Sequence, residues 1–289
     1  MCEKGISVAG ATELRRRVAP ATRIQTIEIR KKRRMSAIPI LVTLLCLGQT
    51  PGDEPSLKAL QQRVETTQVA LSNEAGRKAK LVEKPVFHYS DELRQIENAG
   101  VWLWTDRGRP VAAMKVERYQ TGRFPIPWLY CFTSLSSELV HAEWADAKPF
   151  QAKQPGVKWQ TLADDPATTR PVRLVQMRDI ARRFSVELLR DAAGADRLQM
   201  RLLPRPLFRG DETSDVLDGA VFGFTGTGTN PDVLLLLDLP PKGSWRFGIA
   251  GMTAEGVRVK LTEKVVAEIP HTAGKGNVFD NWCNFHPAR

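Results

Sequence analysis

The chain lacks the residue patterns that mark common metal sites and nucleophilic sites. It has only 4 cysteines and 4 histidines in 289 residues, with no Cys-x-x-Cys, His-Glu-x-x-His or other Cys/His metal spacing. It also lacks the Gly-x-Ser-x-Gly turn of serine hydrolases and a Ser/His/Asp triad order. We therefore predict no metal ion and no cofactor, and we assign no catalytic residue.

The apolar stretch at residues 37–48 is short for a membrane span. As a helix its twelve residues reach about 18 Å, against about 30 Å of hydrocarbon core. A basic run, Arg30–Arg34, precedes it and the small residue Gly48 ends it, which is the order of a secretory signal peptide. We predict a signal peptide at 1–48 with a basic n-region, no stable transmembrane span, and export to the periplasm or beyond the cell. A misassigned start, with Met35 as the true first residue, is an open alternative.

Most of the excess positive charge belongs to this leader. Of the formal net charge of +10, residues 1–48 carry 10 Lys/Arg against 3 Asp/Glu, and the remaining 241 residues carry 32 against 29. A nucleic-acid-binding domain needs its basic charge on the folded part. The composition therefore disfavours nucleic acid as a partner.

Two cysteines, Cys131 and Cys283, remain after the leader. In an exported chain an even pair is compatible with one disulfide. Two buried free thiols are the equal alternative.

The rest of the chain divides into a short helical region and one larger domain. At 49–84 we predict a linker and an amphipathic helix from Pro55 to about Leu71, because apolar residues recur there at heptad-like spacing. At 85–289 we predict a single α+β domain, with a sub-boundary or a structured loop near 145–171, where prolines and glycines are frequent.

Short apolar runs separated by turn-forming residues predict a largely antiparallel, curved β-sheet built from hairpins and a meander. The segment 219–261 contains three such runs, and Val233–Leu237 is apolar on both faces, which predicts a strand covered on both sides. Residues 101–116 form a hairpin pattern with Gly108 in the turn. One internal helix, Val172–Arg183, has an apolar face and packs on the sheet.

Four segments, Gly100–Pro110, Arg173–Arg178, Leu198–Phe208 and Asp218–Phe222, resemble a family of uncharacterised exported proteins of planctomycete-type bacteria. The resemblance covers roughly residues 85 to 270. It implies a secreted or periplasmic destination and no assigned activity, so it transfers no catalytic residue.

Two sets of residues are candidate binding residues. Trp102 and Trp104 share one face of a strand and would form a ligand platform if that face is exposed; the alternative is a place in the core. Arg205 and Arg209 bracket apolar residues and are suited to hold carboxylates or phosphates, or to form ion pairs within the fold.

Two further patterns have simple structural explanations. His141 and Glu143 share a strand face, which suits acid–base chemistry or an ordinary surface pair. The loop 226–230 contains a Gly-x-Gly but leads into an apolar strand, which predicts a hairpin loop rather than a phosphate site. The leading hypothesis is a non-catalytic module that binds a ligand or an envelope partner, and the alternative is a hydrolase with an unrecognised carboxylate/His site.

Overall fold

A computed structural model describes residues 54–71, 77–213 and 215–287. The predicted signal peptide at 1–48 lies outside the described residues. The helices are α1 (Glu54–Glu65) and α2 (Arg170–Arg182). The strands, in chain order, are β1 (Gln68–Leu71), β2 (Lys80–Leu81), β3 (Phe87–Asp91), β4 (Ile96–Asp106), β5 (Arg109–Tyr119), β6 (Trp128–Ser134), β7 (Val140–Glu143), β8 (Phe150–Gln151), β9 (Gln160–Thr161), β10 (Phe184–Leu189), β11 (Arg197–Gln199), β12 (Arg201–Leu202), β13 (Phe208–Arg209), β14 (Asp218–Thr225), β15 (Val233–Leu239), β16 (Arg246–Gly251), β17 (Gly256–Leu261), β18 (Lys264–Ile269) and β19 (Trp282–Phe285).

The strands form four antiparallel sheets rather than one curved sheet. The first central sheet has the order β19-β6-β5-β4-β2, with β3 also on β4, and the second has the order β12-β14-β15-β16-β9, with β13 also on β14. The first outer sheet is β1-β7-β8 and the second outer sheet is β11-β10-β17-β18. The α+β class with antiparallel sheets is thus confirmed. The predicted meander is split, because β17 leaves the second central sheet to pair with β10.

Three apolar layers hold these sheets together. The two central sheets pack face to face through residues such as Leu103 and Leu236. The outward face of the first central sheet packs on α1 and the first outer sheet, and that of the second packs on α2 and the second outer sheet. Strand β15 is buried along its whole length, which confirms the prediction for Val233–Leu237.

Of two local predictions, the N-terminal helix needs a shorter range and the hairpin at 101–116 is confirmed. The N-terminal helix ends at Glu65, and the residues predicted to continue it form β1. In β1 the buried side chains alternate, because Val69 and Leu71 face the core while the strand pairs with β7. The predicted hairpin at 101–116 is formed by β4 and β5, and its turn places Arg107 and Gly108 at φ of 48° and 82°.

The described chain contains the same unit twice. The first half (α1 to β8, 54–151) and the second half (α2 to β18, 170–269) each run from a helix into a strand, through short strands, into a three-stranded meander, and back to a strand that pairs with the first. The strand that follows each half pairs with the other half: β9 joins β16, and β19 joins β6.

Sequence and register support this duplication. The segment Lys80–His88 reads KLVEKPVFH and the segment Arg201–Arg209 reads RLLPRPLFR. In the two segments equivalent residues have equivalent partners, since Leu81 pairs with Trp104 as Leu202 pairs with Phe224. A second pair of segments, 128–143 and 245–260, aligns without a gap and shares Trp, Glu and Val at the same spacing. The link between the halves falls within the region 145–171.

Candidate functional site

The tryptophans predicted as a platform are part of the core. Trp102 and Trp104 do share one face of β4, but they are 0 % and 1 % exposed because α1 and the first outer sheet cover that face. The structure therefore contradicts a ligand platform at these two residues. Period-two spacing predicted the shared face correctly, and only the packing of the preceding helix decides which face is covered.

The two arginines predicted to bind have separate environments. Arg209 donates two hydrogen bonds to Asp218, from Nε at 3.0 Å and from Nη2 at 2.6 Å, and Arg173 donates a third at 2.9 Å. Burial by itself would raise the pKa of Asp218, but the hydrogen bonds from both arginines outweigh it and hold that pKa below its usual value. Arg209 thus has the structural role that was the alternative, and Arg205 is exposed.

Cys131 and Cys283 are free, buried thiols. Cys283 pairs across the strands with Phe132, not with Cys131, so the two cysteines lie on opposite faces of the first central sheet. A disulfide between them is incompatible with this register. Burial raises the pKa of Cys131 to about 12, which keeps that thiol protonated at neutral pH.

His141 and Glu143 form a surface pair on the first outer sheet. The imidazole Nε2 lies 2.9 Å from Glu143 Oε1, and Nδ1 lies 3.0 Å from Gln151 Oε1. Arg209 belongs to a different sheet and has different partners. The structure therefore does not bring Arg209 to the His141–Glu143 pair, as a hydrolase site built on these residues would require.

An aromatic cleft lies beside the first central sheet, at residues that were not predicted as a site. It encloses about 520 Å³ between the loop 144–149, which links β7 to β8, and the chain around β19. Its aromatic walls are Trp144, Phe150 and Phe285, and the rings of Trp144 and Phe285 meet edge to face with centroids 5.0 Å apart. In the second half the equivalent link between β17 and β18 is only two residues long. The longer loop in the first half makes room for this cleft.

Two buried polar atoms in residues of the aromatic cleft have no hydrogen-bond partner among the described residues. They are the indole Nε1 of Trp144, a donor, and Oδ1 of Asp146, an acceptor. Leaving a buried polar group unpaired costs about 1–3 kcal/mol. Both atoms are shielded from solvent, so they lie behind the wall of the cleft rather than on its surface. A buried group of this kind calls for an ordered water or a bound group that completes it.

The other oxygen of Asp146 is firmly held. Oδ2 accepts hydrogen bonds from Arg63 Nη1 at 3.1 Å and from the Tyr130 hydroxyl at 2.9 Å. Burial raises the pKa of Tyr130 to about 12, so the hydroxyl stays a donor at neutral pH. The Arg63 guanidinium also lies 4.2 Å from the ring centre of Trp128. These contacts fix the orientation of the carboxylate and compensate its charge.

A second, polar cleft lies where the two halves meet. It encloses about 110 Å³ between the β4–β5 turn, residues 136–138 and β16. Arg109 and Arg246 line it, and both donate from Nε to the buried carboxylate of Asp238, at 3.0 Å and 2.7 Å. Arg246 is also stacked on Trp159, 4.7 Å from the ring centre. We call this the junction cleft.

At the equivalent junction in the other half, polar side chains surround the buried acid. By register Glu117 corresponds to Asp238, and it accepts hydrogen bonds from Tyr89, Tyr119 and Asn230 at 2.7, 2.9 and 3.1 Å. Lys115, only 3 % exposed, donates to Asn230 Oδ1 at 2.9 Å. Each half thus binds a buried acid of the other, and a cleft lies beside the junction around Asp238.

Comparisons with protein-family models, with curated proteins and with solved structures found no match to this chain. Within the described residues, no group of three or more His, Cys, Asp or Glu side chains is placed to hold a metal ion. The helices of that same part of the chain are too short or too polar to cross a membrane.

Proposed function

We propose that this protein is an exported, non-catalytic module that binds a small neutral ligand in the aromatic cleft. The observation that carries the proposal is the combination of about 520 Å³ of largely apolar space with two buried, unpaired polar atoms of opposite type. Small-molecule sites in proteins typically combine an apolar cavity of this size with a few placed polar groups.

The two unpaired atoms are buried behind the cleft wall, so in this proposal a ligand reaches them when it displaces the side chains that cover them, and they then select its polar group. The indole N–H of Trp144 needs an acceptor, and Oδ1 of Asp146 needs a donor. A hydroxyl group is both a hydrogen-bond donor and an acceptor, so one hydroxyl can satisfy either atom. Because Arg63 already compensates the charge of Asp146, a neutral hydroxyl fits better than an ammonium group. The aromatic walls favour an apolar ring as the body of the ligand.

Phenol and toluene test this ligand class, because they share a ring and differ only in a hydroxyl for a methyl group. We expect the full chain to bind phenol about fivefold more tightly, since one net hydrogen bond contributes about 1 kcal/mol. The readout is the indole N–H resonance of Trp144 in a ¹H–¹⁵N spectrum during titration. Equal affinity for both probes would refute the role of the polar atoms.

The variant Trp144→Phe keeps an aromatic wall and removes the N–H donor. We expect it to reduce the preference for phenol over toluene while toluene binding stays close to the wild-type value. The matched control is Trp159→Phe, which removes an indole from the junction cleft and leaves the aromatic cleft intact. The control should keep the full preference for phenol.

The leader supports the proposed destination. Its basic run, short apolar stretch and terminal Gly48 fit removal by a signal peptidase. The intact mass of the protein from fractionated cells tests this directly. A mature chain that begins at Gln49 in an exported fraction supports export, whereas a full-length chain in the cytosol would refute it.

A further inference from the structure

The junction cleft contains two charged groups of opposite net sign, besides the ion pair of Arg107 with Asp215 at 4.0 Å, which adds no net charge. In the first, Asp238 is shared by Arg109 and Arg246, so one negative charge faces two positive charges. In the second, Arg77 is shared by Asp106 at 3.5 Å and Glu138 at 2.5 Å, so one positive charge faces two negative charges. The cleft as a whole is close to neutral, but its charge is separated.

The positive group has hydrogen-bond donors to spare. Arg246 uses only Nε on Asp238, and among the described residues both its terminal amino groups have no protein partner. Arg109 uses Nε and Nη2, so its Nη1 also has no protein partner among the described residues. The side chains of Arg109 and Arg246 are 29 % and 28 % exposed, and both line the cleft. Stacking on Trp159 and the bond to Asp238 hold the Arg246 guanidinium in place. Guanidinium groups with free, fixed N–H donors are suited to a carboxylate.

The negative group is complementary to a cation. Asp106 and Glu138 both line the cleft and are partly exposed, with side-chain exposure of 18 % and 32 %. Their single shared arginine leaves one negative charge in excess. An ammonium group placed there would gain charge-assisted hydrogen bonds.

We propose that the junction cleft binds a small zwitterion with a carboxylate and an ammonium group a few bonds apart, the chemistry of a free α-amino acid. The carboxylate accepts from Arg109 and Arg246, and the ammonium donates to Glu138 and Asp106. A volume of about 110 Å³ holds several waters or one small organic molecule of this kind. This site is separate from the aromatic cleft and does not depend on it.

Glycine is the probe, with acetate and methylammonium as probes that carry only one of its two charges. Isothermal titration of the full chain at neutral pH should give saturable glycine binding at least tenfold tighter than either single-charge probe. Acetate binding as tight as glycine binding would overturn the zwitterion assignment, and so would an absence of glycine binding.

The internal duplication supplies a matched pair of variants. Glu138→Gln removes one carboxylate from the negative group and is expected to weaken glycine binding about tenfold, while acetate binding is unchanged or improved. Glu255→Gln makes the same change at the equivalent position of the second half and is expected to leave glycine binding unchanged. Both variants should first show the wild-type circular dichroism spectrum. Equal effects of the two variants, or none from Glu138→Gln, would refute the proposal.

Discussion

The ion cluster around Asp218 gives the most quantitative test of how the fold is held together. Asp218 is fully buried and accepts four hydrogen bonds, from Arg173 Nε, from Arg209 Nε and Nη2, and from the amide of Gly219. Arg173 is itself 5 % exposed. The variant Asp218→Asn keeps the size of the side chain but leaves this buried arginine without its counter-charge.

Breaking a buried ion pair by neutralising one partner costs about 3–5 kcal/mol. We expect a loss of that size in the free energy of unfolding of Asp218→Asn, measured by urea denaturation with the transition followed by tryptophan fluorescence. The control is Asp179→Asn on the outside of α2, whose pair with Arg182 at 2.7 Å is solvent-exposed. Exposed pairs contribute about 0–1 kcal/mol.

The loss in the free energy of unfolding must therefore be several-fold larger for Asp218→Asn than for Asp179→Asn. A loss for Asp218→Asn no larger than that for Asp179→Asn would refute the structural role of the cluster. In that case Arg209 would again be a candidate residue for binding a ligand.

Two further predictions concern buried titratable groups. Cys131 and Cys283 should fail to react with a thiol reagent in the native protein and should react fully in urea. The reason is that both thiols are buried and burial raises the pKa of each. Fast labelling of Cys283 in the native protein would contradict its position in the core. Burial, with the negative charge of Asp232 adding to it, also raises the pKa of Glu255 above its ordinary value of 4.5. Its protonated form is therefore the stabilising one, and this contribution is present at low pH and is lost as pH rises through the raised pKa. We expect Glu255→Gln to gain in stability relative to the wild type between pH 4 and pH 7, and a difference that does not change over this range would contradict the assignment.

Much of the architecture could be predicted from local pattern. The β4–β5 hairpin, the buried strand β15, the α2 helix and the β10–β11 hairpin follow from short apolar runs, turn residues and helical spacing. These features depend on neighbours within a few residues. The division into four sheets depends on distant residues instead, because pairings such as β1 with β7 join segments about 70 residues apart.

The duplication is encoded in the sequence, although no single motif shows it. The matched segments 80–88 and 201–209 share Leu, Pro and Phe at the same positions, with a basic residue first and a second one four places on. A comparison of the chain with itself finds this signal, whereas a pass along the chain for single motifs does not.

The candidate sites could not be predicted from local pattern. The aromatic cleft joins Trp144 and Asp146 to Phe285, and only the pairing of β19 with β6 brings these residues together. The junction cleft requires the two halves to dock. By contrast, the binding hypothesis for Trp102 and Trp104 followed from their shared strand face, and that face is the one that α1 covers.

Whether the aromatic cleft is a ligand site can be decided by soaking crystals of the full-length protein in phenol and determining the structure. We expect phenol between the rings of Trp144, Phe150 and Phe285, with its oxygen within hydrogen-bond distance of Trp144 Nε1 or Asp146 Oδ1. Phenol bound elsewhere, with only disordered solvent in this cleft, would refute a ligand site there.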